Sequence, residues 1–121
     1  MVWHLEDDAK LGATVRAALA GRDSRLVIPT IVLAEIRWGL RKKRVADEVW
    51  IDLIANVQSD SRFTIYPLTA EVVDEVSTEL EMHDVMICAT ATLLAKATGD
   101  YVQVLTRDQD IIRSGLVATA W

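Results

Sequence analysis

The chain has 121 residues, 51% of them hydrophobic, and a formal net charge of −5. That length suits a single domain over residues 1–121 with a core of its own. The acidic balance argues against indiscriminate nucleic-acid binding, which needs a basic surface. No apolar run reaches the roughly 18 residues that cross a bilayer. The opening Met1-Val2-Trp3-His4-Leu5-Glu6-Asp7-Asp8 carries acids where a signal peptide carries bases. With the lone Cys88 excluding an internal disulfide, the expectation is a soluble cytoplasmic protein in a reducing compartment. Cys88 lies in an apolar stretch and reads as a small core residue.

Ala9 to Ala20 reads as a helix with Asp8 as N-cap and Gly21 as its stop. Leu26-Val27-Ile28, ended by Pro29, is a short buried strand. Thr30 is the expected cap of a helix running to about Lys43, with Val32, Leu33, Ile36 and Leu40 on one face. Asp47 to about Val57 is a second amphipathic helix, with Val49, Leu53 and Val57 inward. Phe63 to Tyr66 is a strand. Thr69 caps a helix expected to reach Leu80, with Val72, Val73, Val76 and Leu80 inward. His83 to Ala97 is apolar almost all round, which predicts a buried helix. A strand from Tyr101 to Thr106, a short helix from Gln109 to Arg113 and a strand from Leu116 to Thr119 complete the order. Strands alternating with helices predict an α/β fold, a short parallel sheet covered on both faces. Sites in such sheets form at the carboxyl ends of strands.

Charge is unevenly distributed. Arg37, Arg41, Lys42, Lys43 and Arg44 form a basic cluster, whereas Phe63 to Ala95 holds six acids and no Lys or Arg. Solvated helix faces account for both, and so does a basic rim beside an acidic site. Three acids have no basic neighbour on their own helix, the cheapest means of neutralisation. Glu35 has Ile31, Val32, Trp38 and Gly39 at helical spacing. Asp84 has Leu80, Glu81, Ile87 and Cys88. Asp108 follows Thr106-Arg107 at the end of a strand, whereas Asp110 can pair with Arg113. Taken singly, Asp84 and Asp108 read equally as helix caps, and Glu35 as the partner of a distant arginine. Taken together, they lie where a parallel sheet brings residues to one edge. Converging carboxylates make a hard oxygen site for Mg²⁺ or Mn²⁺, and such an ion activates water in phosphodiester cleavage.

Three segments carry a family resemblance. Ile28-Pro29-Thr30-Ile31-Val32-Leu33-Ala34-Glu35-Ile36 resembles the second acidic motif of PIN domains. His83-Asp84-Val85-Met86-Ile87-Cys88-Ala89-Thr90-Ala91 resembles the third, and Leu105-Thr106-Arg107-Asp108-Gln109-Asp110-Ile111 the fourth. The resemblance runs over essentially the whole chain. It implies a three-layer PIN-like fold and a Mg²⁺- or Mn²⁺-dependent ribonuclease, a VapC-like toxin of a toxin–antitoxin pair. RNA would be the substrate, an antitoxin protein the partner, and a homodimer the usual assembly. Glu35, Asp84 and Asp108 would be catalytic metal ligands and Asp110 an auxiliary ligand. Thr106 would orient a ligand or phosphate, and Arg37 and Arg41 would face substrate. Two departures stand out. Position 85 is Val where relatives often carry Arg. The family's first strand, ending in Leu-Asp-Thr at the centre of the sheet, has no counterpart before Met1, so the fold is expected to be truncated there and to lack the first aspartate. The gap would reflect a shortened start, closure of the Leu26 strand onto the Tyr101 strand, or filling by another chain. Two other functions fit the residues less fully. One is a non-catalytic binding module that docks an antitoxin or itself. The other is a receiver-like phosphoacceptor, which Asp7 and Asp8 support poorly because they follow a helix pattern.

Overall fold

The computed structural model describes residues 13–21, 24–77 and 79–121. Helix α1 (Ala13–Ala20) leads to strand β1 (Leu26–Pro29), then α2 (Thr30–Lys42), α3 (Asp47–Ser59) and β2 (Phe63–Tyr66). Next come α4 (Ala70–Asp74), α5 (Met82–Thr98), β3 (Gln103–Leu105), α6 (Gln109–Ser114) and β4 (Ala118–Ala120). The expected first turn of that helix, from Ala9, and its Asp8 cap lie outside the described residues. Among the described residues no helix is long and apolar enough to cross a membrane.

The strands are parallel, as their helical crossovers require. β1 pairs with β2 in the register Leu26 to Phe63 and Ile28 to Ile65, and β3 pairs with β4, Gln103 to Ala118 and Leu105 to Ala120. These are two separate two-stranded sheets. Closure of the Leu26 strand onto the Tyr101 strand is therefore not what the fold does: among the described residues, β1 and β3 each keep an unpaired edge.

Helix α5 joins the two halves, packing on α2, on α4 and on β3. Its apolar sequence explains this position, for Val85, Cys88, Ala89, Thr90 and Ala91 are all buried. The Thr90 hydroxyl is satisfied by donating to the Met86 carbonyl at 2.8 Å. On the β1–β2 side a core forms from Ile28, Leu33, Ile36, Leu53 and Val57, ringed by Val32, Leu40, Trp50, Ile54, Phe63 and Ile65. Val49, expected inward, is instead exposed. The wider ring of Trp50 takes the buried face one residue on, where it also receives the Arg37 guanidinium 5.3 Å from its centroid.

Two further expectations change for local reasons. Pro29, and not Thr30, occupies the N-cap of α2. The Thr30 hydroxyl accepts from the Leu68 backbone N–H at 3.0 Å and so ties β1 to the segment after β2. Thr69 does cap α4, accepting from Val72 N–H at 3.3 Å, but the helix stops at Asp74 and does not reach Leu80. The residues after it, Val76 and Ser77, are poor helix formers: one is β-branched and the other competes for backbone groups. Val72 is fully buried while Val73 and Val76 face out.

Candidate active site

Asp84 lies at the third position of α5, behind an N-cap supplied by Glu81, which makes no side-chain capping bond. Capping therefore does not explain Asp84. Its carboxyl group is half-buried and has no hydrogen bond or ion pair among the described residues. Burial, together with the negative charges of Asp108, Glu81 and Asp110, pushes its titration above the usual aspartate range, and His83 opposes this only partly. The proximity expected of Asp84, Asp108 and Asp110 is thus present as mutual repulsion.

Asp108 reaches the same place from β3. Thr106 extends the ladder beyond the strand by donating its N–H to the Ala120 carbonyl at 3.0 Å. Its hydroxyl accepts from Asp108 N–H at 3.0 Å. The Asp108 Oδ1 atom caps α6, accepting from Asp110 N–H at 2.8 Å and Ile111 N–H at 3.3 Å. The capping role considered for Asp108 is real, and it occupies one of two carboxylate oxygens. Asp110 forms no ion pair with Arg113; both line an open cleft of about 410 Å³ with Glu79, Leu80, Glu81 and Ser114.

Glu35 finds a partner that its own helix does not offer. The His83 imidazole Nδ1 lies 3.3 Å from Glu35 Oε1, linking the second turn of α2 to the first turn of α5. His83 stands beside Asp84 in the chain, the one signal that a basic group serves this site. Cys88, one turn beyond Asp84, is a buried free thiol whose titration is pushed up by burial and then by Asp84 and Asp108.

The two arginines assigned to substrate differ. Arg37 is engaged within the fold, 3.2 Å from Asp47 and over Trp50. Arg41 is exposed near the end of α2.

Among the described residues no three His, Cys, Asp or Glu side chains come together as a ready ligand group. The donor chemistry nonetheless suits a hard divalent ion. Mg²⁺ keeps several waters and is commonly held by one or two carboxylates plus substrate phosphate. Asp84 and the second oxygen of Asp108 supply that kind of pair, and their repulsion is what a cation relieves.

An α/β domain that brings Asp84, in the first turn of a buried helix, within range of Asp108, just past a parallel strand, has the makings of a carboxylate-based site. The PIN domain family matches residues 1–115, and the chain belongs to that family. Its members are generally nucleases, often in toxin–antitoxin systems, and generally use divalent metal ions. No curated protein and no solved structure matches the chain.

Proposed function

We propose that the chain is a Mg²⁺- or Mn²⁺-dependent endoribonuclease, a VapC-like toxin held in check by an antitoxin protein and acting in the cytoplasm as a homodimer. The observation that carries this reading is Asp84: half-buried, unpartnered among the described residues and repelled by Asp108, Glu81 and Asp110.

In this reading Asp84 and Asp108 hold the ion, and Glu35 and Asp110 complete the negative field around it. When bound, the ion would supply Lewis-acid chemistry there. Thr106 fixes the backbone that aims Asp108. His83 holds Glu35 across the helix junction. Val85 is buried, so position 85 contributes packing and no charge.

The test is cleavage of a mixed RNA substrate with Mn²⁺ or Mg²⁺ against a chelator control. Metal-dependent cutting that disappears in Asp108→Asn is expected. Persistence of the same activity in the variant would sink the proposal. A parallel chain extended by a strand ending in Leu-Asp-Thr is expected to cut faster, because β1 and β3 each keep an unpaired edge. The lack of a three-residue ligand group among the described residues favours one other reading, a non-catalytic module that docks an antitoxin or its own copy. Absence of cleavage by both chains, with a small protein partner still bound, would establish it.

A further inference from the structure

Helix α2 carries an exposed tryptophan among unpaired cations. Trp38 is 65% exposed, unusual for so large an apolar ring. The Lys42 ammonium sits 4.6 Å from the ring centroid, against one face, so the opposite face is the one open to a ligand. Arg41, Lys42, Lys43 and Arg44 are all exposed, and among the described residues none of them forms an ion pair. Three cations elsewhere pair with acids, Arg37 with Asp47, Arg62 with Asp60 and Lys96 with Glu75.

The cluster is also held in an unfavourable backbone shape. α2 ends with Val45 N–H donating to the Leu40 carbonyl at 2.9 Å and Arg44 N–H to the Arg41 carbonyl at 3.0 Å. This places Arg44 at the position of a helix terminus that glycine normally fills, and its φ is 55°. A side chain there is strained, yet the residue present is one more cation.

Helix geometry ties this patch to the carboxylates. Glu35, Trp38 and Lys42 fall on one stripe of α2, with Trp38 about 4.5 Å and Lys42 about 10.5 Å beyond Glu35 along the axis. An unstacked base lying on Trp38 puts its adjoining phosphate toward Glu35, and the phosphates behind it over Lys42, Arg41 and Arg44. An exposed ring beside a basic track is how single strands are held without base-pair readout, whereas a duplex hides its base faces.

We infer that this end of α2 is a binding track for single-stranded RNA, with Trp38 stacking one base and Arg41, Lys42, Lys43 and Arg44 taking the phosphates. The inference rests on the ribonuclease reading for its direction toward Glu35. Its test separates the two.

The binding of a fluorescein-labelled single-stranded oligouridylate of about ten nucleotides is measured by anisotropy in a chelator, so that no cleavage intervenes. An RNA duplex of equal length is run beside it. The wild-type chain is expected to prefer the single strand. Trp38→Ala is expected to weaken that binding by roughly tenfold and Trp38→Phe to restore most of it. Lys42→Ala is expected to lower the salt dependence by about one unit of slope. Unchanged melting curves check that the variants fold. Equal binding by Trp38→Ala, equal affinity for the duplex, or no RNA binding by the wild type overturns the inference. So does a Trp38→Ala defect confined to self-association or antitoxin capture, which would make this face a protein interface. Asp108→Asn is expected to bind RNA normally and fail to cut; if it cuts, the ribonuclease reading falls while the Trp38 comparison still decides the binding track.

Discussion

The two ends of α2 handle charge in opposite ways. Near its start, Glu35 pairs with His83, whose chain neighbour Asp84 is a half-buried carboxylate left to repel Asp108, Glu81 and Asp110. At its end, the cations are exposed and unpaired among the described residues. Elsewhere in the described fold opposite charges meet directly, as at Arg62 and Asp60 or Lys96 and Glu75. In the proposed reading, a cation from outside would compensate Asp84 and its acidic neighbours, and RNA phosphates would compensate the basic end. Burial separates the two cases: Asp84 is partly desolvated and titrates high, while solvent screens the exposed cations.

The sharpest way to break this contrast is at Asp84. Asp84→Asn is expected to lower metal-dependent cleavage by about 100-fold or more, the scale of removing one electrostatic partner from a reacting centre. It should leave RNA binding in chelator intact. Single-turnover cleavage and anisotropy on the same variant check both halves of the statement. A smaller effect distinguishes Arg37 from its neighbours. Because Arg37 is committed to Asp47 and Trp50, Arg37→Ala is expected to lose about 1 kcal/mol of stability, and RNA affinity should hardly change. Denaturant melts beside the binding curves test this; a large loss of affinity would return Arg37 to the substrate track.

Arg44→Gly should act in the other direction. Relief of the positive φ is expected to raise stability by roughly 0.5–1 kcal/mol while weakening RNA binding by one cation's worth. A variant neither more stable nor weaker in RNA binding would remove Arg44 from the track. The smallest effect is one of pH. The Asp84 carboxyl titrates above its unfolded value of 3.8, so over the interval between the two values the folded state holds more protons. Stability therefore falls as pH rises through that interval and then levels off. Thermal melts across acidic pH should show this slope in the wild type, lose it in Asp84→Asn, and recover stability on the alkaline side when Mg²⁺ is added.

Much of this arrangement was legible in residue order. Asp84 in the first turn of an all-apolar segment and Asp108 just beyond a strand follow from local pattern, and so do the caps at Thr69 and Asp108. What local pattern does not carry is choice among partners. Either Val49 or Trp50 keeps the spacing to Leu53 and Val57, and only packing decides for the larger ring. The meeting of His83 with Glu35 joins residues far apart in the chain, as does the pairing of Arg37 with Asp47 across two helices. The division of the strands into two pairs is likewise a tertiary outcome, invisible in alternation or apolar runs. The apolar period runs on to Leu80, but Val76 and Ser77 have low helix propensity, and α4 ends at Asp74.

The divided sheet puts the acids of the proposed site on elements of different local stability. Glu35 stands on a helix rooted in the larger core, and Asp84 on a buried one. Asp108 follows a three-residue strand whose ladder has one partner, itself three residues long. Short ladders with exposed backbone open at lower free energy than core elements, so amides of β3 and α6 should exchange with solvent sooner than those of α2 and α5. An ion gripping both Asp84 and Asp108 would close that difference, making metal loading and the ordering of β3 and α6 one event.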